Sequence, residues 1–185
     1  LTFVLLINAL ALMFTILKSG KRELRRLGAL QILGILAQGV LGGITVLTAL
    51  NPATVAAHFL LSIILIAGAL SLRQRAHGKS PIEITLIPLV TKLIWLHLLL
   101  TSLVLIAGTI VTGSGPHAGD SAAERFNLDS RTMAWIHADL VIALLGVSIA
   151  LLIAIRLGLT GQARQVLSGR IQIFLIVALA QGGIG

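Results

Sequence analysis

The feature that most constrains this chain is a series of six apolar runs separated by short polar connections. The runs cover residues 1–17, 27–49, 53–72, 89–112, 132–155 and 167–185. A helix needs about 20 apolar residues to cross the hydrocarbon core of a bilayer. Of the 185 residues, 57% are hydrophobic and only 11% are charged, which suits lipid rather than water. We therefore predict an all-α integral membrane protein with six transmembrane helices in this chain.

The basic residues predict how these helices are oriented. There are 14 Lys and Arg residues, and most of them lie in or beside the connections 18–26, 73–88 and 156–166. The positive-inside rule assigns these connections to the cytoplasm and the mixed-charge loop 113–131 to the extracellular side. We therefore attribute the net charge of +8 to topology in the cell membrane rather than to nucleic-acid binding.

Three further observations limit the class of protein. The chain has no Cys, so this stretch contains no disulfide and no thiolate metal site. Gly78-Lys79-Ser80 has Arg73 rather than glycine five positions earlier, so no phosphate-binding loop is predicted. Leu1 and Gly185 both lie inside apolar runs, and we interpret the chain as an internal fragment of a longer protein.

The stretch AQGVLGGITVLTALNPATVAAH, which ends at His58, combines a glycine-rich helix with a corner and a histidine. Gly34, Gln38 and Gly42 recur every fourth residue and therefore share one helix face. Gly39 and Gly43 form a second row of small residues, which would let a neighbouring helix or a flat ligand approach the backbone. Beyond the Asn51-Pro52 corner, an imidazole at position 58 would lie in or near hydrocarbon.

Part of this stretch is repeated near the end of the chain. AQGVLG begins at Ala37, and AQGGIG begins at Ala180. The two helices are four crossings apart, an even number, so they run in the same direction through the membrane. This pattern predicts a parallel duplication of a four-helix bundle rather than an inverted transporter repeat.

His58 and His137 each lie near the start of an inward-running helix and therefore at a similar depth. Histidine inside a helical bundle is a common axial ligand of heme. The alternative is polar packing, in which the imidazole forms a hydrogen bond with a neighbouring helix. For His97, in the fourth run, a bond to a neighbouring hydroxyl or carbonyl and a role as a ligand both remain open. The repeat spacing predicts two histidines in each half, with one of each pair outside this chain. Each half would then contain one bis-histidine site.

The stretches AQGVLGGITVLTALNPATVAAHFLLS, VTGSGPHAGD, WIHADL and AQGGIG together resemble the heme A synthase family, in the form found in Gram-positive and related bacteria. The resemblance spans nearly the whole chain. It implies eight membrane helices in two parallel four-helix bundles, of which this chain supplies the second to the seventh. Residues 1–72 would belong to the N-terminal bundle, 73–88 to a cytoplasmic linker and 89–185 to the C-terminal bundle.

The resemblance also implies an activity, which is oxidation of the C8 methyl of heme O to a formyl group. His58 matches an axial ligand of the substrate heme, and His137 matches an axial ligand of a heme b cofactor. The acidic residue near the substrate would precede Leu1. The implied partners are heme O, membrane lipid, the heme O synthase and cytochrome oxidase assembly factors.

Five residues are candidates for secondary roles in such a site. Gln38 and Gln181 could line the porphyrin faces, or could instead form interhelical hydrogen bonds. His117, Arg125 and Arg131 could contact the heme propionates, or could be solvated loop residues. Two rival functions are a non-enzymatic di-heme electron carrier of the cytochrome b type and a transporter. A transporter would normally show helices broken at the midplane, whereas Pro52 and Pro88 lie near helix ends.

Overall fold

The computed structural model describes residues 2–18, 22–76, 85–116 and 122–184. All regular secondary structure in these ranges is α-helical, and the helices are α1 (Thr2–Lys18), α2 (Arg22–Leu47), α3 (Pro52–Ala76), α4 (Pro88–Ser114), α5 (Ser130–Gly158) and α6 (Gly161–Ile184). Helices α2 to α6 are long and apolar enough to span a membrane. The predicted all-α fold is confirmed for the described residues, and the long apolar helices are consistent with a multi-pass membrane protein. The sixth crossing stays a prediction because α1 has 17 residues, fewer than the about 20 that a crossing needs.

Several helices extend further than the apolar runs indicate, and α3 and α6 are two examples. Helix α3 continues to Ala76, so Arg73 and Arg75 lie in its last turn. Helix α6 begins at Gly161, where φ is +59°, rather than near residue 167. Long basic side chains can keep their charge in water while their stems cover apolar surface. A helix can therefore continue through the basic residues that follow its apolar run, and the first of these residues does not mark where the helix ends.

The chain divides into two compact units. Unit 1 comprises Leu1–Ser80 and Thr112–Asn127, and unit 2 comprises Pro81–Val111 and Leu128–Gly185. The segment 112–127 thus clusters with the first three helices, although it follows most of α4 in the chain. The finer boundaries at residues 72 and 88 stay a prediction.

In unit 1, α2 and α3 form an antiparallel hairpin that polar contacts join along its length. Glu23 and Arg75 form an ion pair at one end, and the Thr48 and Thr54 hydroxyls lie 3.2 Å apart at the other. Between them, Gln31 donates to the Leu65 carbonyl at 3.2 Å. Helix α1 packs against the outside of α2, where Ile16 covers Gly28.

The turn between α2 and α3 is wider than the Asn51-Pro52 corner predicted from the sequence. It covers residues 48–51, and both Ala49 (φ 50°) and Leu50 (φ 60°) adopt left-handed backbone conformations. The Leu50 amide donates to the Thr45 carbonyl at 2.9 Å, which closes the end of α2. Residues other than glycine seldom adopt this conformation. The turn therefore fixes the direction in which α3 leaves.

Unit 2 has an apolar core where the start of α4 meets the end of α5. Val90 is fully enclosed, and Leu151 and Ile155 are each 1% exposed. Leu167 and Ile171 of α6 pack against this cluster. The core lies well away from His137, which is near the opposite end of α5. Apolar packing therefore holds the three helices together without using the region around His137.

Candidate functional site

His58 lies in the second turn of α3 and faces a glycine of α2. A Cβ atom built on Gly42 would lie 3.2 Å from Cε1 of His58 and 3.6 Å from Nδ1. A contact of 3.2 Å is tight for a Cβ, so a larger residue at position 42 would displace the ring. The absence of a side chain on Gly42 lets the imidazole lie close against the α2 backbone.

His137 has the same arrangement in unit 2. A Cβ built on Gly108 of α4 would lie 3.2 Å from Cε1 of His137 and 3.6 Å from Nδ1. Both imidazoles are half-buried, and both stand near the start of the helix that follows the one carrying the glycine. The two units therefore contain the same helix–glycine–histidine arrangement, each within its own boundaries.

The two ring nitrogens of these histidines differ in their surroundings. In both His58 and His137, Nδ1 is buried and has no hydrogen-bond partner among the described residues. Nε2 is not among the buried, unpartnered atoms in either ring, and it is the nitrogen that we consider for a ligand. Within the described residues, no three or more His, Asp or Glu side chains lie close enough together to hold a metal ion by themselves. Axial ligation of heme iron does not need such a group, because the porphyrin supplies the other ligands.

Gln38 joins α2 to the backbone of His58 itself. Its Nε2 donates to the His58 carbonyl at 2.9 Å and to the Ser62 hydroxyl at 2.5 Å. The hydroxyl in turn donates to the same carbonyl at 3.0 Å. The amide oxygen Oε1 is buried and has no partner. The interhelical hydrogen bond considered for Gln38 is thus present, and its role in lining a porphyrin stays a prediction.

The predicted glycine face of α2 is confirmed. Gly34 contacts Leu65, Gln38 bonds to His58, and Gly42 contacts the His58 ring, so all three positions face α3. The second row is open, because no described atom lies within 4 Å of a Cβ built on Gly39 or Gly43. The row of small residues is therefore accessible to a ligand or a further helix.

The surroundings of the two histidines differ in polarity. Position 104, four residues before Gly108, holds Val where unit 1 has Gln38. Position 141, four residues after His137, holds Val where unit 1 has Ser62. Gln181, which repeats Gln38 in the AQG motif, is exposed on α6. The glutamine contact with the backbone of a histidine is thus described only in unit 1.

A loop segment covers the end of unit 1 where the α2–α3 turn lies. The Phe126 amide donates to the Gly113 carbonyl at 2.9 Å, and its ring lies against Gly113, which also faces Pro52. Asn51 donates to the Glu124 carboxylate at 3.0 Å. His58 is less than two helical turns from Pro52, so this loop covers the end of the hairpin nearest the imidazole.

The three residues predicted to contact the heme propionates lie in different parts of the chain. Arg125 is half-buried in the loop of unit 1, and Arg131 is exposed in the first turn of α5 in unit 2. His117 lies outside the described residues. Among the described residues, no hydrogen bond joins the Arg125 side chain to His58 in unit 1 or the Arg131 side chain to His137 in unit 2. A role for them at a heme therefore stays a prediction.

His97 has a structural partner. Its Nδ1 lies 3.1 Å from the Ser148 hydroxyl, which is fully buried and donates its own proton to the Leu144 carbonyl at 2.6 Å. Phe174 of α6 packs edge-on against the ring at 4.7 Å. A cavity of about 180 Å³ beside His97 is smaller than typical small-molecule pockets. Of the two interpretations of His97, the hydrogen bond to a hydroxyl is the one observed.

Three residues of this region could not be identified from the sequence, and they are Ser62, Gly108 and Glu124. Ser62 stands four residues after His58, and that spacing alone places its hydroxyl next to the imidazole on the same face. Gly108 could not be paired with His137 because a long loop of undefined path separates them. Glu124 had no sequence signal beyond its charge.

Comparison of the chain with protein-family models, with curated proteins and with solved structures gives no match. The assignment of a function therefore rests on the residues and their geometry. That geometry is compatible with heme. Two half-buried imidazoles lie against glycines, each with Nε2 as the nitrogen considered for a ligand, and an open row of glycines lies beside one of them.

Proposed function

We propose that this chain is part of a heme A synthase. In this proposal the substrate heme O binds at His58, and its C8 methyl is converted to a formyl group by successive hydroxylations. A heme b cofactor would bind at His137 and, when bound, would carry electrons away from the reaction. The observation that carries the proposal is the shared arrangement of His58 with Gly42 and of His137 with Gly108.

The residues described in unit 1 support a substrate role for its site. Gln38 and Ser62 hold the backbone carbonyl of His58, so the helix that presents the imidazole is fixed against α2. Gly39 and Gly43 leave the α2 backbone open beside it. A bulky, flat molecule with a long apolar tail can enter such a surface from lipid. The catalytic acidic residue is expected before Leu1 and is assigned to no residue of this chain.

The proposal includes the arrangement in the membrane. Connections 18–26, 73–88 and 156–166 would be cytoplasmic, and 113–131 would be extracellular, because the basic residues favour this orientation. The full protein would have eight helices in two parallel four-helix bundles. The recurrence of the glycine–histidine pair in both units is compatible with this arrangement. Heme O synthase and cytochrome oxidase assembly factors are the proposed protein partners.

Secondary contacts with the hemes follow from charge and position. Arg125, Arg131 and His117 are the candidate partners of the propionates, since a guanidinium binds a carboxylate in a bidentate manner. Gln181 is exposed near the end of α6 and is a candidate for lining the porphyrin at His137. Gln38 could also face the porphyrin at His58 through its unpartnered Oε1.

One observation favours a second candidate function, which is a non-enzymatic di-heme electron carrier of the cytochrome b type. A Cβ built on Gly42 or on Gly108 would lie at the same distances from the facing imidazole. Equal geometry is compatible with two permanently bound hemes of the same kind. The two candidates differ in whether the porphyrin at His58 is chemically altered and released.

The first experiment is extraction of porphyrins from the purified full protein, followed by chromatography with mass detection. Heme b together with heme O, its hydroxylated form or heme A supports the synthase. Heme b alone, in cells that make heme O, supports the electron carrier. A protein without porphyrin, even after incubation with heme, would contradict both.

Two matched variants assign the sites. His137→Ala should lose heme b, whereas His58→Ala should retain it and lose turnover, because the histidines belong to separate units. His97→Ala serves as the control, since His97 bonds to Ser148 instead and its loss should leave both hemes bound. If His137→Ala keeps its heme b, the cofactor assignment is wrong.

A further inference from the structure

Two buried polar atoms without partners occur together at one end of unit 1. They are Oε1 of Gln38 and Nδ1 of His58. Burying a polar group without a hydrogen bond is costly, and such groups in proteins are nearly always satisfied by protein or by ordered water. Gln38 donates to the backbone carbonyl of His58, so the two side chains belong to the same contact between α2 and α3. A single bridging molecule between them is the simplest way to satisfy both atoms.

The orientation of the Gln38 amide is fixed by what surrounds it. The His58 carbonyl can only accept a hydrogen bond, and it lies 2.9 Å from the amide nitrogen. Reversing the amide would place two acceptors against each other. Oε1 must therefore point away from that carbonyl, and it needs a donor.

We propose that Gln38 is a positioning residue for His58. One buried water donates a hydrogen bond to Oε1 of Gln38 and accepts a hydrogen bond from Nδ1–H of His58. This arrangement fixes the neutral tautomer that carries the proton on Nδ1 and leaves the lone pair on Nε2. That lone pair faces the ligand site, and the hydrogen bond on the other nitrogen orients the ring. Ligating histidines in proteins usually have such a partner.

The proposal also distinguishes the two units. Val104 and Val141 stand at the positions that correspond to Gln38 and Ser62, and neither side chain can form a hydrogen bond. His137 therefore lacks the equivalent amide. The two imidazoles lie against their glycines in the same way. They differ in whether an amide side chain is present to satisfy Nδ1. We infer that unit 1 sets the tautomer of its histidine with Gln38, whereas unit 2 does not use this device.

The consequence for ligand binding rests on the proposed function. Removing a hydrogen-bond partner of a ligating histidine typically weakens metal binding about 10-fold to 100-fold. Replacing Gln38 should therefore weaken porphyrin binding at His58 by a factor in that range. Binding at His137 should not change, because Gln38 belongs to the other unit.

The decisive experiment reads the tautomer directly and does not need heme. The full protein is labelled with ¹⁵N in its histidine rings, and NMR spectra are recorded without added porphyrin, with His58→Ala used to assign the signal. In the wild-type protein His58 should carry its proton on Nδ1. In Gln38→Leu that signal should shift to the Nε2–H form or to a mixture, while the His137 signal stays unchanged.

Ser62→Ala is the matched control. It removes one acceptor of the Gln38 amide but keeps the His58 carbonyl, which fixes the amide orientation, so the tautomer should remain Nδ1–H. Val104→Gln tests the reverse change and should shift His137 toward the Nδ1–H form. Circular dichroism establishes that each variant retains its helices. A His58 proton on Nε2 in the wild-type protein, or the same tautomer in Gln38→Leu, would overturn the proposal.

The two proposals fail in different ways. If Gln38→Leu changes the tautomer and no variant binds heme, the heme A synthase proposal is wrong and the positioning role stands. If heme binds at both histidines and Gln38→Leu changes neither the tautomer nor the affinity, the positioning role is wrong and the heme proposal stands.

Discussion

Asn51 and Glu124 are joined by a hydrogen bond of 3.0 Å, which connects the α2–α3 turn to the loop before α5. The same asparagine accepts from the Ala53 amide at 3.0 Å, so it caps α3 as well. The side chains are exposed, and the bond therefore contributes less than a buried one. It nevertheless fixes a loop that lies over the end of the hairpin nearest His58.

Replacing Glu124 with Leu should release this loop without disturbing α3. We expect faster amide hydrogen exchange at residues 122–127 and a loss of about 1 kcal/mol of local stability, because one hydrogen bond to a charged group is removed. Mass spectrometry of exchanged peptides measures this change. Glu124→Gln retains an acceptor and should behave like the wild-type protein. Unchanged exchange in Glu124→Leu would show that the Asn51–Glu124 bond does not hold the loop.

The glycines that face the histidines should be more sensitive to substitution than those that do not. In Gly42→Ala the new methyl would lie 3.2 Å from the imidazole, so the ring must move by a few tenths of an ångström. Gly39→Ala meets open space and should stabilise α2 by about 0.5–1 kcal/mol, since alanine favours helix more than glycine does. Thermal unfolding in detergent compares the two variants. If Gly42→Ala is stabilised equally, the imidazole is free to move.

Ser148 supports His97 from a fully buried position. Ser148→Ala should destabilise the protein by about 1 kcal/mol, because Nδ1 of His97 then loses its partner inside the helix bundle. Unfolding by titration with a denaturing detergent measures the difference. Ser168→Ala is the control, since Ser168 bonds only to the Gln165 carbonyl in its own helix at 3.3 Å. Equal effects of both substitutions would mean that the Ser148–His97 bond adds no stability.

Asp129 caps the start of α5, and the cap should depend on pH. Hydrogen bonds from the Thr132 hydroxyl at 2.6 Å and the Thr132 amide at 2.8 Å hold the pKa of its carboxyl below the ordinary value of 3.8. A lowered pKa in the folded state means that the stabilisation is complete above the unfolded pKa and is lost as the pH falls through the folded pKa.

The variant Asp129→Asn tests this dependence, because asparagine can cap a helix but does not titrate. Thermal midpoints of the wild-type and variant proteins should differ by a constant amount at neutral pH. That difference should then decline below the ordinary carboxyl pKa of 3.8. A difference that stays constant down to strongly acidic pH would contradict the role of the carboxylate.

The sequence predicted the helices well because an apolar run long enough to cross a bilayer has few alternatives. It also placed Gly34, Gln38 and Gly42 on one face of α2, and the structure shows that this face meets α3. It did not predict where helices end. The basic residue Arg164 looked like part of a loop but lies within α6, where its long side chain is exposed.

Which side chains contact each other depends on how neighbouring helices align along their length, and this alignment cannot be read from the sequence. The amide of Gln38 could have faced a ligand or another helix, and the choice follows from the way the hairpin aligns it with His58. The pairing of Gly108 with His137 likewise depends on the path of the loop between α4 and α5. The sequence therefore identified the two histidines and Gln38 as candidates, but not the contacts that these residues make.

The two glutamines of the hairpin have a consequence for how the protein is made. Gln31 and Gln38 are seven residues apart in α2, and their carbonyl acceptors at Leu65 and His58 are seven residues apart in α3. Both bonds need only residues of α2 and α3, so they can form before the rest of the chain is made. Newly made α2 and α3 can enter the lipid as a pair, with these amide nitrogens already bonded to the partner helix.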